Sequence, residues 1–147
     1  MSAFAVKKIL CPIDFSPNSE LVAGCAVSIA KTYNALLEFI FVSPLLTDIG
    51  GHQEIEVKAL QDMEQRILKG SDANMDKFIK AHSGGVSTTG VVLPGNPAET
   101  ILQRAKDGGA DLIVIGTHGR KGFDHILFGS VAEKVVRSAS VPVLVAR

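Results

Sequence analysis

The sequence lacks a hydrophobic run long enough to cross a membrane. Its most apolar stretch, Ala35 to Val42, is interrupted by Glu38, whereas a spanning helix needs roughly 20 apolar residues. The first eight residues also lack the basic segment and long apolar segment of a secretory signal, so a cytoplasmic location is expected. Neither sign of charge dominates, because 15 Lys and Arg balance 15 Asp and Glu. This balance argues against attraction of the whole surface to nucleic acid or to an anionic membrane.

Cysteine is scarce, and histidine has no metal-binding spacing. Cys11 and Cys25 form no Cys-x-x-Cys pair, and both are predicted to be reduced, buried and structural. The histidines are His52, His82, His118 and His125. None of them forms a His-x-x-x-His pair, so a zinc site made by protein ligands is not predicted.

Several enzyme signatures are missing. The chain has no Gly-Lys pair and therefore no Walker A loop, and it has no Gly-x-Gly for a dinucleotide fingerprint. It also lacks the Gly-x-Ser-x-Gly turn that activates a serine nucleophile. The end of the first predicted strand has no paired acidic residues of the kind found in a receiver domain. No nucleophile and base stand out as a pair.

The sequence does contain an alternation of short β-like runs with longer helical periods. With 147 residues, 46% hydrophobic and 20% charged, it predicts one folded domain over residues 1–147. The alternation is typical of parallel β-α-β units. The predicted strands are Val6–Ile13, Ala35–Val42, Val86–Leu93, Asp111–Ile115 and Val141–Ala146. The predicted helices run from Ser16-Pro17 to Asn34, from Glu54 to Ala81, from Asn96-Pro97 to Gly108, and from Ser130 to Ser138.

These elements predict an α/β fold with an open five-stranded parallel sheet and helices on both faces. If its strand order is 3-2-1-4-5, as in Rossmann-like proteins, the ends of strands one and four are neighbours. Pro142 cannot donate a ladder hydrogen bond, which favours an edge position for the last strand. Gly70-Ser71 is a weak point of the long second helix, and residues 43–53 are expected to form a surface segment. Periodicity assigns inward faces to Leu21, Val22, Cys25, Ala26, Ile29, Ala30, Val57, Leu60, Met63, Ile67, Leu68, Met75, Phe78, Ile79, Ile101, Leu102, Ala105, Val131, Val135 and Val136.

The chemistry is expected where strands one and four end, because ligands of open α/β sheets bind at the carboxyl ends of strands where the strand order reverses. Strand one runs into Asp14, and strand four runs into Gly116-Thr117-His118-Gly119. Nine residues later, Gly129-Ser130 opens a helix. Glycines allow backbone N–H groups to approach an anion, and a helix amino terminus attracts negative charge. The pattern predicts a phosphate-binding site.

With this motif the sequence resembles the universal stress protein family, specifically its ATP-binding branch. The signature Gly-x-x-Gly, nine residues, Gly-Ser/Thr is present as Gly116 to Ser130. The resemblance also covers Gly95-Asn96-Pro97, Asp111 to Gly116 and the ending Val141 to Val145, so it extends over essentially the whole chain.

The resemblance implies an ATP-binding stress-response module without strong catalysis. The bound nucleotide, ATP or else ADP or AMP, would carry Mg²⁺ on its phosphates, with Asp14 as an additional ligand. The implied nucleotide-binding residues are Pro12, Asp14, Phe41, Val42, Gly116, Thr117, His118, Gly119, Gly129, Ser130 and Val131. The resemblance places Asp14, Phe41 and Val42 beside adenine and ribose. It places the following residues beside ribose and phosphates: Gly116, His118, Gly119, Gly129, Ser130 and Val131. Ala132 stands where some relatives carry a hydroxyl. The family also implies a homodimer through Val141 to Ala146, which would protect that strand edge.

Other interpretations stay open on the residues alone. The protein could be a slow ATP hydrolase or an enzyme that phosphorylates itself, using Ser130 or a nearby hydroxyl. It could also be a dimeric interaction module that binds no nucleotide. Asp14 could cap the turn before Ser16, Gly116 and Gly119 could be turn glycines, and Ser130 could be a plain N-cap. Gly95 and Pro97 are better explained by loop geometry.

Overall fold

A computed structural model describes residues 3–44, 54–117 and 129–147. The described strands are β1 (Lys8–Pro12), β2 (Leu36–Ser43), β3 (Thr88–Pro94), β4 (Leu112–Gly116) and β5 (Val143–Ala146). The described helices are α1 (Pro17–Tyr33), α2 (Glu54–His82), α3 (Pro97–Asp107) and α4 (Ser130–Ser138). Every strand pair is parallel and the order is β3-β2-β1-β4-β5, which confirms the predicted fold and strand order.

Two hydrophobic layers enclose the sheet. The first packs Val22, Ala26 and Ala30 of α1 and Met75 and Phe78 of α2 on one face of the strands. The second packs α3 and α4 on the other face, through residues such as Ile101 and Val135. Because β2 is covered by both layers, almost all of its residues are buried, as expected for a central strand of a parallel sheet.

The helix ends follow the signals in the sequence. Asn96 caps α3, since its side-chain oxygen accepts the Glu99 N–H at 3.1 Å. Asn34 ends α1 in the left-handed conformation, with φ 54°. The Gly70-Ser71 pair does not interrupt α2, which is continuous there, and Ser71 is buried.

Three strands begin two residues later than predicted from Val6, Val86 and Val141. Val86 belongs to a turn instead, in which its N–H donates to the Ser83 carbonyl at 3.0 Å. Ser43, the first residue of the predicted surface segment, is instead the buried last residue of β2. Residues 45–53 lie outside the described residues.

Four of the predicted inward side chains are in fact exposed: Leu21 by 51%, Met63 by 53%, Ile67 by 39% and Val136 by 45%. Each lies on an apolar stripe whose other members reach the core. Cys11 is fully buried as predicted, whereas Cys25 is only half-buried, and both thiols are free. Burial raises the pKa of the Cys11 thiol well above its ordinary range, with a smaller contribution from Cys25.

An ion pair joins the sheet to α3. The Arg104 guanidinium donates through Nε and Nη2 to the two Glu38 carboxylate oxygens, both at 2.8 Å. Glu38 lies on β2 and is buried. The Arg104 hydrogen bonds lower the pKa of Glu38 from its ordinary value of 4.5, against the opposing effect of burial, with Lys8 and Thr89 contributing in the same direction as Arg104.

The amino end of the sheet is held by Asp111. Its Oδ2 accepts the backbone N–H groups of Lys7 at 2.9 Å and Lys8 at 3.1 Å, while the Asp111 N–H donates to the Lys8 carbonyl at 2.9 Å. These bonds fix the start of β4 against the start of β1.

Candidate functional site

The predicted site residues gather at the carboxyl ends of the central strands. β1 pairs with β2 on one side and with β4 on the other, so the direction of strand addition reverses between β1 and β4. Pro12 ends β1, and the Ile13 N–H extends this pairing to the Ile40 carbonyl of β2 at 2.9 Å. Asp14 therefore leaves the sheet beside Gly116, the last residue of β4, at the place where open α/β sheets bind ligands.

The two halves of the glycine motif meet in space. The Gly129 N–H donates to the Thr117 carbonyl at 2.6 Å, which joins the start of α4 to the end of β4. Thr117 is buried, and its own N–H reaches the Ala146 carbonyl of β5 at 3.3 Å. A Cβ atom added to Gly129 would lie 3.1 Å from the Thr117 oxygen, so glycine permits this close approach.

Helix α4 begins at Ser130 with Gly129 as its N-cap residue, whose backbone is extended at φ −73° and ψ 165°. The interpretation of Ser130 as the N-cap is therefore wrong by one residue. The first backbone N–H of α4 that returns to the helix is that of Glu133, bonded to the Gly129 carbonyl at 2.9 Å. The N–H groups of the preceding helical residues form a helix amino terminus of the kind that binds anions. Ser130 is exposed and Val131 half-buried there.

Asp14 is fixed by a short network at the start of α1. Its Oδ1 accepts the Ser16 N–H at 3.0 Å and the Ser19 hydroxyl at 2.9 Å. Its own N–H donates to the Ser19 oxygen at 3.0 Å. Asp14 therefore caps the turn before Ser16, which was one of the two interpretations of this residue. Capping this turn is compatible with a second role at the carboxyl edge of the sheet.

Aromatic side chains line the edge next to Asp14. Phe15 adopts the left-handed conformation, with φ 63°, which is unusual for a bulky residue. Its ring centroid lies 4.9 Å from that of Phe41 and 6.0 Å from that of Phe78. Phe41 belongs to the α1/α2 layer, whereas its neighbour Val42 belongs to the α3/α4 layer. The two predicted contacts at the end of β2 therefore face opposite sides of the sheet.

Nine of the eleven predicted site residues are described: Pro12, Asp14, Phe41, Val42, Gly116, Thr117, Gly129, Ser130 and Val131. All nine lie at or next to the carboxyl ends of β1, β2 and β4 or at the start of α4. His118 and Gly119 lie outside the described residues, as do Arg120, Lys121 and two further histidines, His52 and His125. Gly95, at φ 145° with Thr100 Oγ1 2.6 Å from an added Cβ, is explained by loop geometry, as expected.

Sequence reasoning missed Ser19 and Phe15. Ser19 is a buried polar residue in the first turn of α1. Its position three residues after the N-cap Ser16 is where a side chain commonly returns to bind the backbone ahead of a helix, so the spacing contained a usable signal. The left-handed backbone of Phe15 had no such signal, because the residue type argues against it.

Within residues 57–117 and the other parts whose side chains are described, no group of three or more His, Cys, Asp and Glu could hold a metal ion. Asp14 is the carboxylate at this edge that the sequence singled out. One carboxylate together with ligand phosphates is a donor set that Mg²⁺ accepts, so the residues fit a metal that arrives with a nucleotide. No helix in the described part of the chain is long and apolar enough to cross a membrane.

A second recess lies apart from this edge, between β3 and α3. It has a volume of about 410 Å³ and is lined by Leu93, Glu99, Thr100, Gln103, Arg104 and Asp107. Its charged groups bind one another or their neighbours, since Arg104 binds Glu38 and Gln103 donates to Asp107 at 2.8 Å. The carboxyl edge is therefore the better candidate.

Taken together, the fold and the edge define a doubly wound α/β protein with the amino terminus of a helix at the strand reversal. The sequence pattern of the universal stress protein family matches residues 5–147. The chain belongs to the universal stress protein family.

Individual relatives agree with this assignment. The chain is 37% identical to universal stress protein MJ0531 of Methanocaldococcus jannaschii over 145 residues, which cover 96% of this chain and 82% of that protein. It is 30% identical to universal stress protein MJ0577 of the same organism over 154 residues, covering 96% and 94% of the two chains. The solved structure of UspA from Lactobacillus plantarum superposes with a TM-score of 0.78 at 27% identity, covering 97% of this chain and 99% of that one.

Two more distant solved structures carry nucleotides. A universal stress protein in complex with cAMP matches with a TM-score of 0.64 at 23% identity, over 97% of this chain and 98% of its own. A universal stress protein from Archaeoglobus fulgidus in complex with dAMP matches with a TM-score of 0.60 at 19% identity, over 99% and 100%. At these identities the likeness to this chain is one of fold.

Proposed function

We propose that this protein binds an adenine nucleotide, with ATP as the preferred ligand, at the carboxyl edge between β1, β4 and α4. The observation that carries the proposal is the hydrogen bond from the Gly129 N–H to the Thr117 carbonyl. It brings the end of β4 and the amino terminus of a helix into contact, and backbone N–H groups at such a terminus bind phosphate oxygens. The cAMP and dAMP bound by two relatives support a nucleotide as the anion.

The proposed contacts divide between the two parts of the ligand. Asp14, with Pro12 and the end of β2 at Phe41 and Val42, receives the adenine and ribose. Gly116, Thr117, Gly129, Ser130 and Val131, together with His118 and Gly119, receive the ribose and phosphates. The next residue, Ala132, is buried and offers no hydroxyl, so the phosphates depend on the backbone N–H groups and Ser130. Mg²⁺ would neutralise phosphate charge when bound, and Asp14 is the residue that would reach it.

We further propose that the nucleotide acts as a signal and that the protein works as a cytoplasmic homodimer. β5 is an edge strand whose Val143, Leu144 and Val145 are only half-buried in the monomer. Pairing with a second β5 would cover this edge. The two free thiols fit a reducing compartment.

Isothermal titration of the purified protein with ATP tests the proposal. We expect saturable binding that the variant Gly129→Val weakens at least about tenfold. An added Cβ lies 3.1 Å from the Thr117 oxygen, so the start of α4 must shift against β4, and each hydrogen bond from its N–H groups to a charged phosphate is worth about 1.5–3 kcal/mol. Gly24→Val is the matched control. It lies on α1 with nothing within 4 Å of an added Cβ, so its affinity should equal that of the wild type.

Two results would overturn the proposal. One is no heat from folded wild-type protein at millimolar ATP. The other is equal affinity of the Gly129→Val and Gly24→Val variants. The nucleotide recovered after hours of incubation should be intact ATP, and release of labelled phosphate or a phosphorylated Ser130 would replace the binding role by an enzymatic one.

A further inference from the structure

Ser19 lies beside the proposed site and is unusually buried for a serine. It is 3% exposed, although serine is mostly found on protein surfaces. A buried hydroxyl is costly unless it is hydrogen-bonded. The Ser19 hydroxyl acts both as a donor and as an acceptor, and its partner in both cases is Asp14. Its oxygen accepts the Asp14 N–H at 3.0 Å and its proton is donated to Asp14 Oδ1 at 2.9 Å.

These two hydrogen bonds between Ser19 and Asp14 fix the orientation of the Asp14 carboxyl group. Asp14 Oδ1 also accepts the Ser16 N–H at 3.0 Å, so two donors from different directions hold one carboxylate oxygen. If the Ser19 hydroxyl were removed, Asp14 Oδ1 would keep only one of these two donors, the Ser16 N–H. The Asp14 backbone would at the same time lose the acceptor of its N–H.

Helix capping alone does not account for this arrangement. Ser16 is the N-cap residue of α1, and its side chain makes no capping hydrogen bond. Its oxygen is buried and, among the described residues, has no hydrogen-bond partner. The chain thus leaves the ordinary cap hydroxyl unused and commits Ser19 to the carboxylate. The adjacent Phe15 holds a left-handed backbone, and strained backbones cluster where a side chain must be aimed.

We propose that Ser19 is a positioning residue for nucleotide binding: its hydroxyl holds the Asp14 carboxylate in the orientation that accepts the hydroxyl or amino groups of the nucleoside. This inference rests on the proposed nucleotide-binding function. Ser19 acts through Asp14 and does not itself touch the ligand.

A double-mutant cycle on the full chain tests the inference, with ATP affinity measured by titration calorimetry for Ser19→Ala, Asp14→Ala and the double variant. Ser19→Ala should weaken ATP binding about fivefold, the size of effect expected when one hydrogen bond is lost. In the Asp14→Ala background the same change should alter affinity less than about twofold, because coupled residues are not additive. A merely structural role would weaken binding equally in both backgrounds.

Ser16→Ala is the matched control. It removes the same hydroxyl from the same turn and keeps the backbone N–H that reaches Asp14, so its affinity should match that of the wild type. Should Ser19→Ala not fold, Ser19→Cys carries the test, since it nearly preserves the volume and replaces the hydroxyl by a weak donor. It should show the same loss of affinity.

The outcomes separate the two proposals. If the wild type binds no ATP, the proposed function fails and this inference fails with it. If the wild type binds and Ser19→Ala or Ser19→Cys binds equally well, or if Ser19→Ala acts equally with and without the Asp14 carboxylate, only the role of Ser19 is overturned. If Asp14→Ala binds as the wild type does, Asp14 is not a contact and the positioning role is likewise overturned.

Discussion

A buried carboxylate on a central strand needs a partner, and Glu38 obtains one from α3. The bidentate bond from Arg104 satisfies both carboxylate oxygens and ties the α3 layer to β2. Removing one partner of such a pair destabilises strongly because the other remains buried. The pair therefore connects the stability of the fold to pH.

We expect Glu38→Gln to lower the free energy of unfolding by about 1–3 kcal/mol at pH 7, as for the loss of a charged hydrogen bond. The pKa of Glu38 is lowered in the folded state, so the ion pair contributes fully above the ordinary value of 4.5 and is lost as pH falls through the lower folded value. The difference between the variant and the wild type should thus shrink below pH 4.5 in urea unfolding curves.

The control is Glu99→Gln. Glu99 is largely exposed and lies 3.4 Å from Lys134, and surface pairs contribute about 0–1 kcal/mol. A Glu38→Gln effect that stays constant from pH 7 to pH 3 would contradict the assignment of the ion pair.

Sequence reading could place Glu38 inside a strand but could not supply its partner. Arg104 lies 66 residues away along the chain, and nothing in a local pattern of residues reports such a contact. Ser19 and Asp14 are the opposite case, because their spacing is local and a hydrogen bond across it was foreseeable.

Among the elements, α2 packs unevenly along its length. Its carboxyl-terminal half lies directly on β3 at Gly90, where an added Cβ would come within 2.5 Å of Met75 Cγ and 2.7 Å of Ile79 Cδ1. Nearer the amino terminus, Met63 and Ile67 are exposed. The two halves of α2 therefore differ in how far their apolar side chains are buried.

This difference predicts unequal effects of one substitution at two sites. Met75→Ala should cost about 2–5 kcal/mol of unfolding free energy, as for a buried methionine that leaves a cavity. Met63→Ala should stay within about 0.5 kcal/mol, as for an exposed position. Chemical denaturation of both variants measures the two values, and equal losses would show that Met63 is supported after all.

Hydrophobic periodicity does not predict how deeply each apolar side chain of a helix is buried. Leu21, Ile67 and Val136 each share helical spacing with buried or half-buried residues of their own helix. This spacing correctly predicts which face of each helix turns towards the sheet. How far the sheet extends beneath that face depends on strand length and on the neighbouring helix. The start of α3 at Asn96 is predicted correctly, because a capping side chain is a local signal. At α4 the N-cap is Gly129 and not Ser130.

For the whole molecule, the sequence predicted the sheet order through its β-α alternation and its family resemblance, and the edge position of the last strand through Pro142. It also predicted that the ends of β1 and β4 are neighbours, which brings nine described site residues to one edge. The contribution of all eleven residues to nucleotide binding stays a prediction, and so does the homodimer.

The proposed dimer can be tested on the backbone of β5. The Pro142 and Ala146 carbonyls accept hydrogen bonds from Ile113 and Thr117, so alternation directs the N–H of Val145 away from β4. Val145→Pro removes that outward N–H, and proline is tolerated on edge strands where the N–H faces outward. We expect it to convert a dimer to a monomer in sedimentation velocity.

Val145→Thr, which keeps the N–H, should remain dimeric. A wild-type protein that sediments as a monomer at micromolar concentration, or a Val145→Pro variant that is folded and still dimeric, would exclude pairing through β5.

The hydrogen bonds of Asp111 to Lys7 and Lys8 lie at the end of the sheet opposite the candidate site. They align β1 with β4 through contacts that involve none of the predicted site residues. Substitutions that strengthen the contacts around Asp111 should therefore raise the melting temperature and leave the residues of the candidate site unchanged.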